Sequence, residues 1–184
     1  MFNKFMNINK NLTIEEAFNL AVQNHQEGTL DVAQEFYNQV LKIDPNHSAA
    51  LNNLGTIFTN LKEYQKAKEC YEKAIELNPN YADAHNNLGT ILQELEQHQK
   101  AKECYEKAIV INSNYADAHN NLGNIFNDLG EYQKAKKCFE QAIKINPNYA
   151  NAHYNLGNIF KKLGENQKAK EYYEQAIKIN PNYA

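Results

Sequence analysis

Between Ala49 and Leu61 the apolar residues Ala50, Leu51, Leu54, Ile57, Phe58 and Leu61 keep the spacing of one helix face. A second stretch, Tyr64 to Leu77, carries Tyr64, Ala67, Cys70, Tyr71, Ala74 and Ile75 on one side. Asn78-Pro79 then ends the helix, because the residue before proline avoids the α region. The pattern predicts two amphipathic helices joined by a tight turn, and no strand.

The pair recurs. Pro45 and Pro79 lie 34 residues apart, and Ser113, Pro147 and Pro181 keep the beat. Leu-Gly returns at Leu54-Gly55, Leu88-Gly89, Leu122-Gly123 and Leu156-Gly157, and Lys-Ala-Lys at Lys66, Lys100, Lys134 and Lys168. A fixed period of this length marks a stacked array. We divide the chain into a short leader, residues 1–13, and an array over residues 14–184, with units 14–47, 48–81, 82–115, 116–149 and 150–183. The first unit is degenerate but in phase, with Ala17, Leu20, Ala21, Gly28, Ala33, Tyr37, Val40 and Pro45 in place. Gly130 and Gly164 suit a left-handed turn at the end of a first helix, where Lys62 and Glu96 stand in two other units. Gly55 opposite Ala67 is expected to let the paired helices approach closely.

Composition narrows the class. The hydrophobic fraction of 42% supports a core, and 7 Gly and 4 Pro favour helix over a turn-rich β fold. A net charge of −3 gives no general attraction for phosphate backbones, so nucleic acid is not an expected partner. No apolar run reaches the roughly 18–20 residues of a spanning helix, so no membrane partner is expected. Phe2, Phe5, Met6 and Ile8 are separated by Asn and Lys, unlike the core of a secretory signal. A cytoplasmic location is expected.

Residues with chemistry recur too far apart to cooperate. His85, His119 and His153 share one position, and so do Cys70, Cys104 and Cys138. Equivalent positions on packed helices are about 8–10 Å apart. Zinc needs its ligand atoms at about 2 Å, and a disulfide needs Cα atoms within about 7 Å. Leu51 and Ala17 replace the histidine, and Phe36 and Tyr172 the cysteine, so both positions read as packing sites. No metal, cofactor or catalytic apparatus is expected, and the chain reads as a non-enzyme.

The exposed faces differ. Second helices carry alternating charge, as in Glu69 and Lys73. First helices carry an Asn-rich stripe: Asp83, Asn86, Asn87, Thr90, Gln93 and Glu94 in the third unit, and Asp117, Asn120, Asn121, Asn124, Asn127 and Asp128 in the fourth. Asn costs up to about 0.7 kcal/mol against Ala inside a helix. The chain is rich in Asn elsewhere, so composition explains part of the stripe. It does not explain Asn19, Asn53, Asn87, Asn121 and Asn155, which hold one position in all five units.

Leu122, Gly123, Phe126, Ala135, Phe139, Ala142 and Pro147 match the signature of the tetratricopeptide repeat family, which the chain resembles over residues 14–183. The resemblance implies an all-α, right-handed superhelical solenoid of five helix–turn–helix repeats, with first helices lining a concave groove. The recurrent Asn is similar to the asparagine ladder in the repeat domain of O-linked N-acetylglucosamine transferases, whose amides hold the backbone of an extended peptide. That implies a peptide-binding groove formed by Asn19, Asn53, Asn87, Asn121 and Asn155, flanked by Asn86, Asn120, Asn124 and Asn158. Phe18 and Tyr154 would anchor its ends. Chaperone-binding members hold a C-terminal carboxylate with Lys and Arg, which the first four units lack here.

The expected function is a non-catalytic scaffold holding a protein or extended peptide. Two other readings stand beside it: a substrate-recruiting N-terminal segment of a larger glycosyltransferase or sulfotransferase, and a self-assembling module. Phe160, Tyr173, Ile177 and Ile179 of the last unit are expected to be partly exposed and to support an end-to-end homo-oligomer. Replacing Asn53, Asn87 and Asn121 with Ala is expected to keep stability level or raise it slightly.

Overall fold

The structure, a computed structural model, describes residues 12–183. Of the expected leader, residues 1–11 lie outside the described residues. Those described form ten α-helices and one short 3-10 turn, with no strand among them.

They fall into two compact units, divided between Pro79 and Asn80. The first holds α1 (Ile14–Gln26), α2 (Leu30–Ile43), α3 (Ser48–Asn60) and α4 (Tyr64–Leu77). The second holds α5 (Ala82–Glu94), α6 (His98–Ile111), α7 (Ala116–Asp128), α8 (Tyr132–Ile145), α9 (Ala150–Lys162), α10 (Asn166–Ile179) and the turn Pro181–Tyr183. Each odd-numbered helix packs on the even-numbered helix that follows it.

Local chemistry sets the ends. Thr13 and Glu16 form a capping box at the start of α1. First helices close on a left-handed residue: Gly28, Gly130 and Gly164 at φ +77, +74 and +79°, and Lys62 and Glu96 at +59 and +58°. After α3 the Lys62 amide donates to Thr59 and the Glu63 amide to Phe58, which satisfies carbonyls the helix leaves open. A side chain in that conformation costs about 1 kcal/mol against glycine. Second helices stop on an Asx turn. Asp44, Asn112, Asn146 and Asn180 each accept, through Oδ1, the backbone N–H two residues on. Several of the chain's asparagines are thereby explained by turns alone.

Inside each repeat a ring fills the space between the helices. Tyr37, Tyr71, Tyr105 and Phe139 are fully buried between small neighbours such as Ala67, Ala101 and Ala135. This corrects the expected role of Gly55. A Cβ there would meet the Tyr71 ring at 2.7 Å, so the glycine makes room for the ring rather than for Ala67. Gly89 and Gly123 do the same for Tyr105 and Phe139.

The Lys-Ala-Lys motif clamps the aromatic residue of the first helices. In the second unit Phe126 lies between Lys134 of its own repeat and Lys102 of the one before, at 5.3 and 5.4 Å from the ring centre. Phe160 lies between Lys168 and Lys136, at 5.3 and 5.1 Å. Such contacts contribute about 0.5–1 kcal/mol each at exposed sites. Phe160 also stacks on Tyr172, and it is buried. The expectation that Phe160 would be exposed is therefore corrected: two lysine stems and a tyrosine cover it. Tyr173 and Ile179 are half-buried, and Ile177 is 37% exposed.

Candidate functional site

Three of the recurrent asparagines, Asn53, Asn87 and Asn121, sit one residue after a buried asparagine. Asn52, Asn86 and Asn120 are buried, at 6, 7 and 4% exposure, whereas Asn53, Asn87, Asn121 and Asn155 are half-buried and Asn19 is exposed. Asn86 and Asn120 were expected on an exposed groove face. Both are buried instead, and their side-chain oxygens take donors from the next first helix.

There they accept bonds from the next repeat. In the second unit α5 meets α7 and α7 meets α9. Asn121 Nδ2 donates to Asn86 Oδ1 at 3.1 Å. Asn155 Nδ2 donates to Asn120 Oδ1 at 3.0 Å and to Asn124 Oδ1 at 3.1 Å. Each rung thus reaches back one repeat, and its amide is fixed by an acceptor that has no water to fall back on. No described residue donates to Oδ1 of Asn121 or Asn155. In the first unit Phe18 stands at the position of Asn86, and Asn53 Nδ2 turns to the Tyr37 hydroxyl at 3.1 Å.

A second set of bonds stiffens the same helices. The Tyr71 hydroxyl is bonded to Thr56 and Thr59, that of Tyr105 to Thr90 and Gln93, and that of Tyr173 to Asn158 at 2.8 Å. In the fourth repeat the ring is Phe139 and has no hydroxyl. Asn124, at the place of Asn158, takes the Asn155 amide instead. Sequence reasoning placed Thr90 and Gln93 in the polar stripe without seeing them as partners of Tyr105, and it did not single out Thr56 or Thr59. The available signal was a Tyr in the second helix fifteen residues after a Thr or Asn in the first. Along the edge Tyr115 lies beside Asp83 and Tyr149 beside Asp117, and the Tyr183 hydroxyl donates to Asn151. Burial pushes the Tyr115 and Tyr149 phenols up, and the neighbouring carboxylates push further.

The two aromatic anchors part company. Phe18 packs on Tyr37 and on His47, with centroids 5.9 and 4.7 Å apart, and joins the core. Tyr154 is 40% exposed. Its ring centre lies 5.7 Å from Tyr173 and 5.3 Å from Tyr183. These rings, with Asn158, Lys161 and Ile177, line a cavity of about 240 Å³. Charge is uneven along the first helices of this unit. Asp83, Glu94, Asp117 and Asp128 are exposed on α5 and α7, and Lys161 and Lys162 on α9. Lys162 is occupied, with Nζ 2.8 Å from Asn127 Oδ1.

The histidines tie turns rather than ions. His119 and His153 ring Nε2 atoms bond the carbonyls of Ser113 and Pro147, at 3.1 and 2.9 Å. Among the described residues no three His, Cys, Asp or Glu converge as a metal site. Burial pushes the thiols of Cys70 and Cys138 up to about 11. At neutral pH less than about 0.1% is thiolate, against a few per cent for a free thiol. Both should therefore alkylate with iodoacetamide far more slowly in the folded chain than after denaturation, which mass spectrometry of timed quenches will show. Equal rates would contradict that burial.

Paired helices at a fixed period, each second helix also packed on the first helix of the next repeat within a unit, define a helical-repeat scaffold. The tetratricopeptide repeat model matches residues 48–81, 82–115 and 150–183, and related repeat models match 17–47, 104–137 and 123–164. The chain belongs to the tetratricopeptide repeat family. The crystal structure of MamA protein is similar at a TM-score of 0.74 and 27% identity, over 91% of this chain and 92% of that one. YrrB, described as a TPR protein with an unusual peptide-binding site, matches at 0.70 and 27%, over 92% and 87%. The pilF protein of Pseudomonas aeruginosa matches at 0.84 and 23%, over 91% and 76%, a likeness of fold. The uncharacterized protein ycf37 of Pyropia yezoensis is 36% identical over 62 residues, and the match spans 35% of its length. No described helix is long and apolar enough to cross a membrane.

Proposed function

We propose that the chain is a binding scaffold without chemistry of its own, and that it holds an extended protein segment along its first helices. In the second unit the contact row is Asn87, Asn121 and Asn155, flanked by Asn124 and Asn158, with Tyr154 as the aromatic anchor. Asn19 and Asn53 hold the corresponding positions in the first unit, where Asn53 Oδ1 already accepts from Asn52 Nδ2 at 3.2 Å. Asn86 and Asn120 act as supports, and Phe18 belongs to the core. One observation carries the reading: Asn121 and Asn155 are held in place through Nδ2 while Oδ1 takes no donor from the described residues. A fixed amide on a half-exposed residue loses little freedom when a partner's N–H arrives. The likeness to YrrB, whose description names a peptide-binding site, supports the same reading. The acidic residues of α5 and α7 favour a neutral or basic segment, more so at low salt.

The test uses a partner captured from source-cell extract and then purified. Its affinity is measured for the wild type and for the Asn87→Ala, Asn121→Ala and Asn155→Ala triple variant, with thermal melting as the control for fold. Each lost contact should weaken binding by about 0.5–1.5 kcal/mol. A folded triple variant that binds as tightly as the wild type rejects the reading.

A further inference from the structure

The geometry points to a partner segment in the polyproline II conformation, recognised through one free backbone N–H in every three residues. This rests on the binding reading above and names its ligand class. Two observations in the second unit, and the spacing expected of packed helices, carry it.

The first is polarity. Asn155 Nδ2 serves two acceptors, Asn120 and Asn124, and Asn121 Nδ2 serves Asn86, while Oδ1 of each takes no donor from the described residues. The matching group on a partner is an N–H. The second is spacing. Equivalent positions on neighbouring packed helices lie about 8–10 Å apart. A polyproline II chain rises ~3.1 Å per residue with three residues per turn, so one edge recurs every ~9.3 Å. A β-strand presents N–H groups to one edge every second residue, about 6.8 Å apart, and the next match is near 13.6 Å. Only the period of three meets successive rungs. The third is the cavity beside the Asn155 rung. Tyr154, Tyr173 and Tyr183, with Asn158, Lys161 and Ile177, line a cavity of about 240 Å³. Aromatic-lined recesses are the surfaces on which proline rings of such segments dock. The exposed carboxylates Asp83, Glu94, Asp117 and Asp128 select a segment with basic residues between the prolines.

Three synthetic dodecapeptides test this by NMR titration of labelled protein. One repeats Lys-Pro-Pro four times. The second is the same peptide with every lysine backbone nitrogen methylated, which keeps charge and removes every internal N–H; circular dichroism checks that it stays in the polyproline II conformation. The third repeats Lys-Val-Thr four times, with equal charge and a β preference. The first should bind and should shift the Asn121 and Asn155 side-chain amide signals. Methylation should weaken it about tenfold for two lost contacts. Tyr154→Ala, at an exposed ring outside the amide network, should also weaken the first peptide. Equal binding of the methylated peptide overturns recognition through N–H. Stronger binding of the Lys-Val-Thr peptide, with the same asparagine signals shifting, overturns the conformational choice and leaves the binding reading standing. No binding by any of the three overturns both.

Discussion

Phe139→Ala should cost about 3–5 kcal/mol of unfolding free energy, read from the denaturant midpoint at constant slope. Phe139 is 1% exposed, and its ring fills the gap between α7 and α8 against the bare backbone of Gly123. The reverse change tests the same fit from the other side. A Cβ on Gly123 would stand 2.6 Å from Phe139 Cε1. Overpacking of that kind costs about 1–3 kcal/mol, and the helix propensity gained by Gly→Ala returns about 1. The two sites touch, so their effects should not add. Gly123→Ala combined with Phe139→Leu should lose less than the two single changes together. Additive losses would mean that ring and glycine are not one packing unit.

Asn121→Ala should destabilise by about 1–3 kcal/mol, whereas Asn86→Leu with Asn121→Ala should be close to neutral. The single change strips Asn86 Oδ1, buried at 7% exposure, of the donor it holds at 3.1 Å. That penalty exceeds the gain of up to about 0.7 kcal/mol from a better helix former. Removing both polar groups removes the penalty. Binding of an extended segment should fall in both variants. This reverses the sequence-based expectation that Ala at the rungs would leave stability level or raise it. A double-mutant cycle by chemical denaturation decides it: a single variant as stable as the wild type would show that the amide bond contributes nothing.

The repeat, its two helices and its turns were legible because they rest on local rules. Apolar spacing gave the helix faces, Asn-Pro gave the stops, and even Lys62 and Glu96 could be placed at left-handed turns by analogy with Gly130 and Gly164. What escaped were decisions made between repeats. Asn86 and Asn87 are adjacent in sequence and alike in chemistry. Only the approach of α7 to α5 buries one and leaves the other half-exposed. Phe160 looked like an uncovered face until Lys136, from the preceding repeat, and Tyr172 closed over it. The partner of Gly55 was misplaced because helical spacing put Ala67 opposite, while the larger Tyr71 ring takes the space. The asparagines of the chain mix three roles that composition cannot separate: Asx turn, buried acceptor and half-exposed rung.

The rung bonds of the second unit all run one way, from a donor in a later repeat to an acceptor in an earlier one. A ribosome delivers the chain in that same order. At roughly 5–20 residues per second, each repeat follows its predecessor by roughly 2–7 s. Until then the waiting carbonyls of Asn86 and Asn120 face water. If each repeat folds as it is made, those carbonyls are buried by the same repeat that brings their donors.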